Sequence, residues 1–197
     1  MNLSRRGECE RKTRETSIRV SLYVDGDGTA EISTGLPFFD HMLELMFRHA
    51  LVDVTLNASG DLEVDGHHTV EDTGLAIGEA LGAALGDKKG LTRFGWSLVP
   101  MDECLSEVAL DISGRPCLCW NVELAPEPLG NFEPSLAGDF FQALCNRTGM
   151  TLHVELRRGG GVHHALESVF KAVGRALKSA LAIDPRVKDV PSTKGVI

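Results

Sequence analysis

Two pentapeptides hold the chain's densest reactive chemistry: His67-His68-Thr69-Val70-Glu71 and His163-His164-Ala165-Leu166-Glu167. Each is a histidine pair followed three residues later by glutamate, and together they contain four of the seven histidines. Residues three or four apart share one face of a helix, so either His can converge with its Glu on one ion. Adjacent side chains diverge by about 100° around a helix, so one pair hardly chelates one metal but can serve two sites. Two copies therefore predict a symmetric pair of metal centres. Imidazole and carboxylate without thiolate favour manganese, iron or another octahedral divalent ion over structural zinc.

The elements that carry these residues are duplicated. Residues 67–85 align with 163–181 at a constant offset of 96, with Ala76/Ala172, Gly78/Gly174, Ala80/Ala176, Leu81/Leu177, Ala84/Ala180 and Leu85/Leu181 identical. Both stretches read as helices whose small residues suit close packing on a sheet. Upstream, residues 18–24, the turn 25–28 and residues 29–32 read as a hairpin, and residues 108–112, 113–116 and 117–122 repeat it. A helix follows each, from Pro37 to about His49 and from Pro134 to about Asn146, then a strand at 52–56 and at 151–156. The prediction is an α+β fold of two duplicated β-β-α-β-α halves, about 10–92 and 93–197, each an antiparallel-rich sheet with helices on one face. The halves meet near the Lys/Gly-bearing stretch 88–98. Each is marginal alone, so both should pack as one globular unit, a single domain over 1–197.

The duplication also assigns residues. His41 precedes His67 by 26 positions, and Asp139 precedes His163 by 24, so the two occupy corresponding slots. Both are competent ligands for a hard or borderline ion. Glu15 and Glu103 each stand 11 residues before the glycine of their turn, Gly26 or Gly114, at equivalent edges of the two sheets. Asp102 rivals Glu103 for that place. The candidate ligands are thus His41, His67, His68, Glu71, Asp139, His163, His164 and Glu167. His153 alternates within a strand and reads as an ordinary core or surface histidine. His49 ends a helix, where capping and substrate contact are both open.

A net charge of −8 argues against non-specific binding to nucleic acid or anionic membrane. An anionic substrate then needs a local basic cluster. Candidates are Arg93 between the halves, Arg115 in the Gly-Arg-Pro turn, Lys171 one helical turn beyond Glu167, and the tail Ser192-Thr193-Lys194-Gly195. No glycine precedes that tail as in a Walker loop, and no G-x-G-x-x-G opens a helix. The polar N-terminus predicts no signal peptide, and no apolar run reaches about 18 residues, so no membrane span is expected. Five cysteines without C-x-x-C spacing imply neither a disulfide framework nor a zinc knuckle. Cys117 and Cys119 read as small buried side chains on one strand face, and reduced thiols suit the cytoplasm.

Longer motifs surround these residues: Phe38-Phe39-Asp40-His41-Met42-Leu43, the run from Gly60 to Asp72, His163 to Lys171, and Pro191 to Gly195. From about Arg14 to Ile197 the chain closely resembles imidazoleglycerol-phosphate dehydratases. The resemblance implies dehydration of D-erythro-imidazole-glycerol phosphate to imidazole-acetol phosphate in histidine biosynthesis. It also implies two Mn2+ per active site and trimers that build a 24-subunit homo-oligomer with active sites between subunits. Carried over by position, the family's metal ligands fall on His41, His67, His68, Glu71, His163, His164 and Glu167. Its substrate contacts fall on Glu15, His49, Arg93, Arg115, Lys171, Ser192 and Lys194, with His41, His67, Glu71 and His163 also facing substrate. Glu15 would shuttle protons, with Glu103 or Asp102 as a second acid/base. Asp139 departs from the pattern, standing where many members carry His and others a carboxylate; direct, water-mediated and absent ligation all stay open. Two other classes compete: a di-metal phosphatase or other hydrolase, which would release free phosphate, and a metal-binding structural shell, which would leave the basic cluster without use.

Overall fold

The computed structural model describes residues 5–197. Its first half runs β1 (Arg6–Lys12), β2 (Thr16–Tyr23), β3 (Ala30–Ser33), α1 (Pro37–Ala50), β4 (Asp53–Gly60) and α2 (His67–Leu85). The second repeats that order as β5 (Phe94–Met101), β6 (Cys104–Asp111), β7 (Cys117–Asn121), α3 (Leu136–Thr148), β8 (Thr151–Arg158) and α4 (Val162–Ala180). Each half forms one four-stranded sheet, ordered β1-β2-β4-β3 and β5-β6-β8-β7. The expected β-β-α-β-α succession holds in both, with one further strand in front of it.

The two extra strands have a physical reason for escaping a hydropathy reading. The inward positions of β1 include Gly7 and Cys9, and those of β5 are Gly95, Ser97 and Val99. A side chain at Gly7 would meet the Ala80 carbonyl oxygen of α2 at 1.8 Å, and one at Gly95 the Ala176 oxygen of α4 at 2.0 Å. Helix backbone thus lies directly on strand backbone, in the same way in both halves. The stretch 88–98 is accordingly part connector and part strand.

The expected hairpins are corrected. Residues 18–24 and 29–32 do not pair with each other, because β4 lies between them, antiparallel to β2 and parallel to β3. Asp53 at the start of β4 explains this: its Oδ1 accepts from the amides of Asp27, Gly28 and Thr29 at 2.9, 3.0 and 3.0 Å. The loop therefore wraps a side chain of the intervening strand. The second half repeats the topology around β8, where Ser113 Oγ lies 3.2 Å from Thr151 Oγ1. Cys117 and Cys119 are also corrected, since both are exposed on the outer face of β7. That strand's partly buried positions are Leu118 and Trp120.

The helices fill the space between the sheets, with α2 packed on α3 and α1 on α4. One continuous apolar core results, in which Phe39, Phe132, Phe140, Phe141 and Phe170 are fully buried. Phe39 of the first half meets Phe140 edge-on at 5.2 Å, and Phe140 stacks on Phe170 at 5.8 Å. Close helix contact demands glycine at particular places. A Cβ at Gly174 would lie 2.3 Å from the Met46 carbonyl oxygen of α1, whereas one at Gly82 would reach only 3.7 Å from Arg147. Gly174→Ala is therefore expected to cost about 1–3 kcal/mol by forcing the crossing apart. Gly82→Ala should be neutral or stabilise by up to about 1 kcal/mol through helix propensity. Denaturant midpoints of the two variants check the contrast; equal shifts would contradict it.

Candidate active site

The four helices bring the histidines together in a crossed pattern. Pro37 opens α1, and Asp40 in its first turn accepts from the Thr34 amide at 2.9 Å, fixing the entry of the chain. The next residue, His41, faces α4 of the other half: its ring centroid lies 6.1 Å from that of His163. His163 Nε2 is 3.4 Å from Glu167 Oε2, and Phe38 meets the His163 ring edge-on at 5.2 Å. Ligand atoms of His41, His163 and Glu167 all lie within 4.8 Å of one another. Glu167 is the buried member, at 8% exposure.

The reciprocal cluster joins α2 of the first half to α3 of the second. The Asp65 carboxylate accepts from the His67 amide at 2.8 Å and holds the start of α2. His67 Nε2 is 3.6 Å from Glu71 Oε2, while its Nδ1 is 3.5 Å from Asp139 Oδ2. Asp139 thus occupies the place that pseudo-symmetry gives to His41, and it faces the opposite ring nitrogen from Glu71.

His68 and His164 belong to neither cluster. A carboxylate holds each at Nδ1: Asp61 at 3.0 Å for His68 and Glu103 at 3.0 Å for His164. That leaves Nε2 as the nitrogen available for an ion, the arrangement in which an outer carboxylate orients a ligating imidazole. The same contacts raise both imidazole pKa values, chiefly through the hydrogen bond to Asp61 or Glu103. Asp61 was not foreseen; a carboxylate seven residues before His68 was its only signal.

The two edge glutamates now separate. Both sit in turns, Glu15 between β1 and β2 and Glu103 between β5 and β6. Glu103 accepts from the Gly161 amide at 2.9 Å as well as holding His164. The Gly161 amide, then His164, bring its pKa down to about 2. These two contacts give the carboxylate an anchoring duty. Asp102 lies 3.9 Å from His164 Nδ1. Among the described residues no group hydrogen-bonds the Glu15 carboxylate, whose charge nevertheless reaches His68. The difference has a local cause. In the first half Asp61 takes the anchoring position, whereas the second has only Gly159-Gly160-Gly161 before its histidine pair, so Glu103 must do it.

The basic residues fall in two places. Arg93, Ser113, Arg115, Ser192 and Lys194 line a cavity of about 650 Å3. Arg93 pairs with Asp111 through Nε at 2.6 Å and Nη2 at 3.0 Å, and its Nη1 donates to the Pro191 carbonyl at 2.8 Å. The tail is thereby tied to the start of β5. Lys171 lies elsewhere, its ammonium on Glu167 Oε1 and 3.4 Å from Met101 Sδ. Burial pushes the Glu167 carboxyl up, but the Lys171 contact outweighs it and the net shift is downward. His49, against α4, is pulled down by burial and then by the charges of Lys171, Arg175 and Arg48. His153 is exposed on the outer face of β8.

The cavity and the imidazole clusters sit at opposite ends of α4. Arg93 donates its amide to Ala180 at the C-terminal end at 3.0 Å, while His163 stands in the first turn of the 19-residue helix. At 1.5 Å per residue that separation is about 25 Å. One chain therefore does not bring Arg93, Arg115, Ser192 and Lys194 to its own His41–His163 and His67 clusters.

The donor set fits divalent ions well. Imidazole nitrogens and a carboxylate oxygen converge at His41, His163 and Glu167, His67 brings Glu71 and Asp139 to its two ring nitrogens, and both remaining histidines have one nitrogen secured. Comparison with known proteins bears on the reaction. The chain matches the family model for imidazoleglycerol-phosphate dehydratase over residues 34–177. It is 52% identical over 195 residues to the imidazoleglycerol-phosphate dehydratase of Moorella thermoacetica, covering 99% of this chain and 100% of that one. The Ruegeria sp. enzyme is 50% identical, with 98% and 100% covered. The crystal structure of the Staphylococcus aureus dehydratase superposes with a TM-score of 0.82 at 37% identity, covering 91% of this chain and 99% of that one. For the Pyrococcus furiosus structure the values are 0.81, 34%, 96% and 100%.

Proposed function

This chain belongs to the imidazoleglycerol-phosphate dehydratase family, and from that membership we propose a di-manganese active site completed between copies of the chain. The protein is a hydro-lyase that removes water from imidazoleglycerol phosphate in histidine biosynthesis. The product is the ketone imidazole-acetol phosphate. The observation that carries the intersubunit reading is the separation along α4. A phosphorylated imidazole cannot reach from Arg93 to His163 of one chain, but it can bridge the basic cavity of one copy and the imidazole clusters of another. We infer a homo-oligomer from this separation, and the family resemblance implies its form, trimers that build a 24-subunit shell. No helix among the described residues is long and apolar enough to cross a membrane, and the reading places the enzyme in the cytoplasm, without nucleic-acid or membrane partners.

His41, His163 and Glu167 would hold one ion and His67, Glu71 and Asp139 would supply the other, with His68 and His164 as further ligands. Mn2+ held there would supply Lewis acidity toward the substrate's imidazole ring and so ease loss of hydroxide. Glu15 moves the proton at its carboxylate, being the edge glutamate without an anchoring duty. Arg93, Arg115, Ser192 and Lys194 bind the phosphate and fix the distance to the reacting carbon. Lys171 holds Glu167 in its ionised form.

An assay that follows both the ketone and free phosphate, with metal analysis on the same sample, tests the reading. Ketone without phosphate supports it, and phosphate release would indicate the hydrolase. The cavity arginines should separate under mutation. Arg115 is 71% exposed in its side chain and Arg93 only 14%. Arg115→Ala should raise KM about tenfold to a hundredfold with folding unchanged. Arg93→Ala should also lower the thermal midpoint, because Asp111 and the Pro191 carbonyl lose their partner. Identical behaviour of the two would contradict the division.

A further inference from the structure

The two ion positions are formally related by the duplication, yet the side chains around them are unequal. One cluster offers two imidazoles and a single carboxylate: His41, His163 and Glu167. The other offers one imidazole between two carboxylates: His67, with Glu71 at 3.6 Å from Nε2 and Asp139 at 3.5 Å from Nδ1. A second difference reinforces the first. Lys171 places an ammonium on Glu167, whereas the residue corresponding to Lys171 at the offset of 96 is Leu75, which carries no charge. The nitrogen-rich cluster is thus the less negative, and the oxygen-rich cluster keeps both carboxylate charges uncompensated by a lysine.

Hard cations select oxygen and charge, while borderline transition ions gain from imidazole nitrogen. We propose that the two sites of this protein differ in metal selectivity. The His41–His163–Glu167 site retains a transition ion against Mg2+; the His67–Glu71–Asp139 site exchanges it for Mg2+. Asp139 sets the difference. Whether it touches the ion or acts on the far nitrogen of His67, the nitrogen count stays one against two. His68 and His164 do not erase it, since each adds one imidazole. The inference rests on the di-metal reading above and goes beyond it by making the sites chemically distinct.

The test uses the full chain in its assembled state, loaded with Mn2+ and titrated with a large excess of Mg2+. Released Mn2+ is read from the electron paramagnetic resonance signal of the free ion and the retained ion by elemental analysis, independently of turnover. Wild type is expected to give up about half of its bound Mn2+, with the half-release points of the two ions separated on the order of tenfold or more. Asp139→His should retain both ions over the same range. His41→Asp should release both. Parallel release of both ions from wild type, retention of both, or an Asp139→His variant that behaves like wild type would each overturn the proposal while leaving the di-metal reading standing. A wild-type protein that takes up no Mn2+ would overturn both.

Discussion

Glu15→Gln is expected to lower kcat about a hundredfold to ten-thousandfold, the range that positioned proton transfer contributes, with bound metal unchanged. The turn between β1 and β2 puts this carboxylate close enough for its charge to act on His68, but Asp61 already occupies the imidazole Nδ1 at 3.0 Å. Glutamine keeps the shape and removes the exchangeable proton. The informative partner is Glu103→Gln at the corresponding turn. Glu103 secures His164 and the Gly161 amide, so its loss should weaken metal binding, about tenfold to a hundredfold for an outer carboxylate. Turnover and metal content measured on both variants separate the roles. Unchanged turnover in Glu15→Gln would remove that residue from the chemistry.

Stripping divalent ions should abolish turnover, by at least about a thousandfold, and Mn2+ should restore it. The departing proton is not acidic and hydroxide leaves poorly, so protein groups alone offer little to the bond that breaks. A structural effect should accompany the loss. His68 and His164 stand outside both clusters, each with one ring nitrogen held by a carboxylate, and in the proposed assembly the other would meet a neighbouring copy's ion. Metal-free protein should therefore sediment as smaller species and melt at lower temperature, since an ion bound only to the assembled state stabilises it by mass action. Full activity in protein shown by elemental analysis to be metal-free would sink this account.

Much of the site was legible because helical spacing is rigid. His67 with Glu71 and His163 with Glu167 are four apart and meet as expected. The duplication also paired His41 with Asp139 and Glu15 with Glu103 correctly. It did not reveal that the pairs cross over, so that each α1 or α3 residue serves the other half's histidines. That depends on helix packing, which periodicity does not encode. Lys171, one helical turn beyond Glu167, meets its carboxylate as that spacing predicts, and spacing did not reveal that it stands apart from the cavity lined by Arg93 and Arg115. Strands β1 and β5 were missed because a helix backbone rests on Gly7 and Gly95, which removes the inward apolar residues that announce a strand. Turn composition suggested hairpins; the Asp53 carboxylate draws the loop around β4 instead.

The two edge strands that correspond by pseudo-symmetry present side chains of opposite character to solvent. Along β1 the outward side chains are Arg6, Glu8, Glu10 and Lys12; along β5 they include Phe94, Trp96 and Leu98, exposed by 59%, 74% and 52%. Charge on an unpaired edge discourages illicit strand addition, and greasy side chains invite it. A chain left without a partner over β5 therefore carries a precipitation hazard there that β1 does not share, and replacing Trp96 by lysine should raise soluble yield.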